Sequence, residues 1–569
     1  MYKLNRIGAL AALASAALAV GACGGSDNSS GGGGSSDTGS SGESKASTAL
    51  DINAQPRDNV KEGGVMRWAV DQFSTQWNYN QVNGPEATTL DVIDAVIPQP
   101  FIADEKANVT PDPDFITKAE VTSDKPETIE LTLNEKAKWS DGTPITANDY
   151  ITQWKALNGS NPKFQIASST GYDQIKSVTA NGGDYGVKIV FAKPFAEWNA
   201  LFTPLYPAKY QDTPEHFNKG YFKQIPVTAG PFKLDKIDKT AKTITVVKNP
   251  DWWGDPAKLD KIVYRALEIS AGTNAFVNGE VDVVDVGPDP SAYKRTSGAQ
   301  GATVHEAGGP DFRHFTINGS KPPLSDLKVR QAIAKGINRA AIAKSDLTGL
   351  GDWKAETMDN HFFVNTQVGY QDNTGDLGQY DPEGAKKLLE EDGWKMDGQF
   401  YAKDGKQLKL RFVIPSGVPT SKQEGELTQA MLKDIGVNLD IVTVPSDDFF
   451  DKYVIPANYE ITPFSWLGTP YPISSSTSIY QQPTGENFRQ NFARVGSPEI
   501  DDLMKQANAT FDTDKSRELL NQADAKVWEE VHSLIMYQRP QITATKSNLA
   551  NFGSFGFMTR RLKNTGFVK

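Results

Sequence analysis

The side chains best suited to covalent or metal chemistry are few in this 569-residue chain. The only histidines are His216, His305, His314, His361 and His532, and no two stand at the spacing of a zinc-ligand pair. There is no Gly-x-Ser-x-Gly elbow and no His-Glu-x-x-His. No Gly-rich loop runs into Lys-Ser or Lys-Thr to cradle a phosphate. Gly349-Leu-Gly351 lacks the third glycine and the flanking strand of a dinucleotide site. Asp and Glu number 70, so a glycosidase-like carboxylate pair stays open, although a solvated acidic surface accounts for them more simply. Cys23 is the only thiol. The pattern favours binding over catalysis, and no cofactor, metal site or enzyme activity is expected. The formal net charge of -11 would repel phosphates, which argues against a nucleic-acid partner.

Cys23 stands where a lipid could be attached. Lys3 and Arg6 precede an Ala/Leu-rich run over residues 7–20, too short to span a bilayer comfortably but suited to a signal-peptide core. Val20-Gly21-Ala22-Cys23 follows, and resembles the bacterial lipobox: a branched aliphatic residue, two small residues, then cysteine. The resemblance implies cleavage after Ala22, removing residues 1–22, and a lipid on the Cys23 thiol. Each buried CH2 of an acyl chain contributes about 0.8 kcal/mol to membrane binding. Residues 24–47 are nearly all Gly, Ser, Asp and Thr and cannot bury apolar surface. As a flexible tether they reach roughly 25–30 Å, taking about 5–6 Å times the square root of length.

Beyond the linker, residues 23–59, the composition is globular: 38% hydrophobic, 10% aromatic and 23% charged over the whole chain. Strand-like stretches at 129–133, 187–191, 243–247, 281–286 and 438–444 alternate with capped helices, which predicts an α/β or α+β fold. Thr146-Ala-Asn-Asp149 and Ser421-Lys-Gln-Glu424 read as capping boxes. Asp381-Pro382 and Ser497-Pro498 read as an N-cap followed by proline at the first helical position. Residues 514–532 read as a long amphipathic helix, and 534–537 as a strand returning to an earlier sheet.

Six ordered segments resemble family 5 of the extracytoplasmic solute-binding proteins, the oligopeptide, dipeptide and nickel type that serves ABC importers. They are Trp139-Ser-Asp-Gly-Thr-Pro-Ile-Thr-Ala-Asn-Asp149, Val227-Thr-Ala-Gly-Pro-Phe232, Lys248-Asn-Pro-Asp-Trp-Trp253 and Asn278-Gly-Glu-Val-Asp282. The other two are Pro322 to Ile333 with Ile337-Asn-Arg339, and Tyr380-Asp-Pro382 to Gly393-Trp394. The resemblance implies an α/β fold of the type II periplasmic-binding-protein kind, two lobes on a hinge, with an extra domain in the N-terminal lobe. Domain I would comprise residues 60–100, 221–315 and 531–569, domain II residues 101–220, and domain III residues 316–530. It also implies ABC permease and ATPase subunits as indirect partners, and a monomer anchored on the extracytoplasmic face of the cell membrane.

The same resemblance puts Arg313, His314 and Phe315 beside the interlobe cleft, with Arg313 suited to a ligand carboxylate. It puts Asn83, Gly84 and Glu86 where an extended peptide backbone is paired, and Trp466 where a tryptophan flanks the ligand. One position departs from the peptide binders. They carry an aspartate three residues after that tryptophan, which holds the peptide ammonium, whereas Trp466-Leu-Gly-Thr469 ends in threonine. Either another acid such as Glu86 supplies the charge, or the ligand has no ammonium there. An oligopeptide is the first reading. An oligosaccharide or glycolipid on the same fold, and a regulatory or envelope lipoprotein that serves no transporter, are the alternatives.

Overall fold

The computed structural model describes residues 50–569, apart from 352 and 486. Cys23, the apolar leader and the Gly/Ser tract lie outside the described residues. Ten strands form the backbone of the molecule: β1 (Val65–Val70), β2 (Phe232–Asp238), β3 (Thr243–Lys248), β4 (Lys261–Ala266), β5 (Val283–Asp285), β6 (Ala302–Ile317), β7 (Lys409–Pro415), β8 (Asn438–Val444), β9 (Ile461–Trp466) and β10 (Ser533–Lys546). In space they run β8-β7-β9-β6-β10-β5-β1-β4-β3-β2. β5, β1 and β4 pair in parallel, as do β8, β7 and β9, while β6 and β10 pair antiparallel between these two groups. The 16-residue β6 and the 14-residue β10 are thus the two strands that cross from one lobe to the other.

The crossing is irregular. Gly308 faces Pro540 and Phe312 faces Gln538, so Gly309, Pro310 and Asp311 bulge out opposite Arg539 alone. A bulge interrupts the ladder and bends the strand, and proline removes a donor from it. Both features sit at the level where the two lobes meet.

A separate four-stranded antiparallel sheet, in the order Ile116–Asp124, Glu127–Leu133, Gly186–Phe191, Ile175–Ala180, belongs to the N-terminal lobe. The helix Ala147–Leu157 packs on it. Its start follows the sequence signal: the Asp149 carboxylate accepts from the Thr146 backbone N–H at 2.8 Å. Asp381 and Ser497 likewise cap the helices Pro382–Glu391 and Pro498–Asn508, each with proline at the first position. The three largest hydrophobic cores lie under this small sheet, under the β1–β5 end and under the β6–β10 end of the large one. Trp252 and Trp253 close the first of these, edge-on to Phe115.

The segment Ser421-Lys-Gln-Glu424 does not form the capping box its spacing suggests. The helix begins at Pro419 and runs to Asp434, so Ser421 and Glu424 lie inside it and are fully buried. Proline at the first turn starts the helix three residues early, at Pro419 instead of Lys422. The i, i+3 spacing then puts both side chains on one inward face.

Candidate ligand-binding site

A cavity of about 530 Å³ opens between the lobes, inside the range of ligand pockets. One wall is the loop and helix start over residues 71–87, together with residues from the small-sheet domain such as Phe101, Tyr172 and Asn199. The facing wall is Pro415 to Ser421, Phe449, Phe450 and the run from Pro463 to Ser475. The floor is the crossing itself, with Arg313 from β6 and Arg539 from β10. At the floor, Gly468 has no room for a side chain, since a Cβ there would stand 2.4 Å from the Pro310 carbonyl oxygen. Its N–H donates to Asp311 at 3.2 Å, tying the strand end to the bulge.

Polar contacts join the two walls. Glu197, from the small-sheet domain, accepts from the N–H groups of Ile473 at 3.2 Å and Ser474 at 2.7 Å, and from the Ser474 hydroxyl at 2.6 Å. It thereby supplies the helix Pro472–Tyr480 with the cap that its own Tyr471 does not provide. Burial pushes the Glu197 carboxyl pKa up against these three donors. The Tyr471 hydroxyl donates to the Asn199 carbonyl at 3.0 Å. At another edge of the cavity Asn83 donates to Asp451 at 3.1 Å.

Among the described residues, the acidic and basic side chains on the cavity wall are Asp71, Glu86, Asp285, Asp289, Arg313 and Arg539. Arg313 binds Glu424 in a two-pronged pair, Nε to Oε1 at 2.8 Å and Nη2 to Oε2 at 2.5 Å, and donates to Ser421 at 2.9 Å. Behind this pair lies Asp346, whose carboxyl is pushed well above the usual carboxylate range by burial and by the Glu424 charge. Arg539 holds Asp285 at 2.6 Å. Asp289 caps the helix Pro290–Ser297. Glu86 has a hydrogen bond from Ser74 at 2.6 Å and, among the described residues, no ion pair. Protein surrounds its carboxyl although part of it faces the cavity. That burial, with weaker repulsion from Asp451, Asp71 and Asp447, pushes its pKa up to about 8. Asp71 accepts from Thr88 at 3.1 Å.

Residues 110–488 match the family described as bacterial extracellular solute-binding proteins, family 5 Middle. The chain belongs to this family. The oligopeptide-binding protein OppA of Mycobacterium tuberculosis (strain H37Rv) is 37% identical over 528 residues, covering 92% of this chain and 88% of that protein. The solved structure of the periplasmic EDTA-binding protein EppA has a TM-score of 0.79 at 26% identity, covering 92% of this chain and 99% of that one. The oligopeptide-binding protein AppA of Bacillus subtilis, solved with a nonapeptide, has a TM-score of 0.78 at 18% identity, covering 90% and 100%. The type II periplasmic-binding-protein fold is common to them. Among the described residues no helix is long and apolar enough to cross a membrane.

Within this family 5 chain, Asn83, Glu86, Arg313 and Trp466 reach the cavity. Gly84, His314 and Phe315 do not. Gly84 lies behind the wall, where a Cβ would meet the Asn78 carbonyl oxygen at 2.0 Å. Phe315 is fully buried edge-on to Phe412. His314 is also fully buried, hydrogen-bonded to Thr316 at 2.8 Å, with its pKa held well below the usual value by burial and by Arg313. Strand alternation turns His314 away from the face of Arg313, and Phe315, past an irregularity in the β6–β10 pairing, packs against Phe412 in the core. Trp466 lies parallel to both Phe492 and His314, at 5.6 and 5.9 Å between ring centres. Arg313 is the sequence's candidate for a ligand carboxylate, yet the carboxylate it holds is Glu424. Sequence reading misses Ser421, Glu424, Arg539, Asp71 and Glu197. Only Pro419, which resets the helix start, signals that Ser421 and Glu424 are free of capping duty.

Proposed function

We propose that this protein is the substrate-binding lipoprotein of an ABC importer, capturing an oligopeptide between its lobes and presenting it to a membrane permease. The observation that carries the reading is the cavity closed by both lobes over the β6–β10 crossing, with polar contacts spanning its mouth. Such a chamber holds a solute without transforming it: its polar wall groups are paired with one another or face the cavity singly. The 37% identity to a protein named for oligopeptide binding supports peptide as the solute class. In this reading the domains run as the sequence suggests, with 60–100, 221–315 and 531–569 as domain I, 101–220 as domain II and 316–530 as domain III. Asn83, Glu86 and Trp466 contact the ligand, while Arg313 shapes the floor through Glu424. The protein works as a monomer, tethered through a lipid on Cys23 at the extracytoplasmic face, with permease and ATPase subunits as its partners. Native mass spectrometry of purified protein tests this. A ladder of co-purified peptide masses is the expected result, and a bound hexose series would sink the peptide reading.

A further inference from the structure

One short segment of the cavity wall faces three ways at once. Over Phe449–Val454 the chain turns as a π-helix, directly after the 3-10 turn Ser446–Asp448. The Ile455 N–H donates to the Phe450 carbonyl at 3.0 Å, and the Asn458 N–H to the Tyr453 carbonyl at 2.7 Å, each five residues back. Such wide turns are rare and cluster at functional sites. Bonding at i, i+5 brings residues five apart onto one face. Here Phe449 and Val454 both enter a core of the C-terminal lobe beside Val413 and Tyr459. In an α-helix, at 3.6 residues per turn, they would stand about 140° apart and one would leave that core. Phe450 and Ile455, again five apart, line the cavity, with Phe450 edge-on to Phe464 at 5.5 Å. The third face meets the N-terminal lobe. Asp451 accepts from Asn83 at 3.1 Å. Asp447 accepts from the Phe73 N–H at 3.4 Å and pairs with Lys242, on the turn between β2 and β3. Gln72 donates to the Ser446 carbonyl at 3.4 Å. Lys452 points elsewhere, paired with Asp448 of its own segment at 2.8 Å.

On the reading that a peptide is held between the lobes, we infer that this π-turn is a ligand sensor. A ligand pressing on Phe450 and Ile455 holds the turn wide, and the wide turn carries Asp447 and Asp451 onto the N-terminal lobe. The two jobs are joined because Phe450 and Asp451 are neighbours in one turn. Tightening it to the i, i+4 pattern takes Val454 out of register with Phe449 and moves Asp451 relative to Asn83. The turn thus has two discrete settings, and each of the two sites biases the same one, which is the physical basis of coupling between them. The opposite rim of the cleft, where Glu197 caps the helix Pro472–Tyr480, is an ordinary helix start and reports only whether the lobes are together. A ligand that sets a bulky apolar group against Phe450 is held more tightly than one that leaves that space to water.

The test is hydrogen exchange read by mass spectrometry on the full chain. A random pentapeptide pool is the probe, and its retention is measured on the same samples. In the native protein the pool should slow exchange over residues 446–458 by about tenfold or more. In Phe450→Ala the pool should still protect residues 472–480, which report closure, but no longer residues 446–458. Asn83→Ala should lower retention of the pool about threefold or more in the native background, the loss of one hydrogen bond to a carboxylate. In the Phe450→Ala background it should lower retention no further. A purely structural Phe450 would leave the two losses additive. The exchange measurement on the unaltered protein does not depend on a variant folding. Retention of the pool with unchanged exchange over 446–458 would overturn the inference and leave the peptide reading intact, and so would additive losses. No retention of the pool would overturn the peptide reading and this inference with it.

Discussion

Replacing Glu197 by alanine tests whether the cross-cleft cap helps to hold the lobes shut. In the closed form Glu197 satisfies two backbone N–H groups and one hydroxyl at the start of the helix Pro472–Tyr480. Removing it leaves those donors partly buried and unmet, at about 1–3 kcal/mol for an unsatisfied group. In an open form water meets them, so the loss falls on the closed state alone. Loss of an N-cap side chain costs about 0.5–2 kcal/mol in other helices. Burial, which raises the Glu197 carboxyl pKa, has already offset part of the gain in the native protein. A net loss of about 1–2 kcal/mol remains, or roughly 5–30-fold in the closed-to-open ratio. Affinity falls with the closed population, and the change should appear mainly as faster ligand release. Calorimetry and stopped-flow release read both, and single-molecule energy transfer between the lobes reads the populations directly. Thermal stability without ligand should stay near native, since neither lobe's core contains Glu197. Unchanged affinity together with an unchanged interlobe distance distribution would refute the reasoning.

Other perturbations have defined outcomes. Glu424→Ala strands the buried Arg313 charge and should destabilise the fold by about 3 kcal/mol, the low end for a broken buried pair, because Asp346 becomes free to ionise and take part of the pairing. Adding Asp346→Asn should deepen the loss towards about 5 kcal/mol in urea titrations, and a double variant no worse than the single would exclude that compensation. Glu86 is faced by Ser74, Asp71, Asp447 and Asp451, and its pKa of about 8 should fall when a ligand amine arrives. Binding then releases a proton between the ordinary carboxylate value of 4.5 and about 8. Affinity should rise with pH through that window by at most about tenfold per unit, and Glu86→Gln should flatten the profile. The same raised pKa means that the ligand-free fold binds more protons than the unfolded chain there. This group's contribution to stability is therefore full below pH 4.5 and lost as pH rises to about 8. Cys23→Ser should shift the protein from the membrane fraction to the medium, and a variant that stays membrane-bound would remove the lipid anchor from the proposal.

Local features of the fold were legible because their causes are local. The caps at Asp381 and Ser497 and the alternating strand at residues 129–133 each depend on a few adjacent residues, and each forms as read. The site was only half legible. Arg313 and Glu424 are 111 residues apart, and Glu197 is 277 residues from Ser474. No spacing rule connects such pairs, which are set by the chain's return through β10. Where a local rule did reach the site it misled, since Ser421-Lys-Gln-Glu424 obeys the capping-box pattern and does another job. Arg313 lines the cavity, but its partner Glu424 could not be read from the sequence, because a sequence shows a cation without showing which acid holds it.

The difference between the contacts within each lobe and those across the cleft bears on how the protein responds to its ligand. The lobes are held by large apolar cores, with Phe315, Phe412 and Trp528 fully buried in one and Trp77, Tyr206 and Tyr264 in another. At about 1.5–3 kcal/mol for each large buried side chain, these bodies do not soften when the cleft opens. Across the cleft stand the hydrogen bonds that Glu197 accepts and those that Tyr471 and Asn83 donate, each worth about 0.5–1.5 kcal/mol net, or somewhat more where a charge takes part. Water replaces them when the lobes part. Closure without ligand is therefore a shallow balance, biased by a few polar contacts and by the bend built into β6 at Gly309–Pro310–Asp311. A ligand needs to add only a few kcal/mol of its own contacts to commit the chain to the closed form.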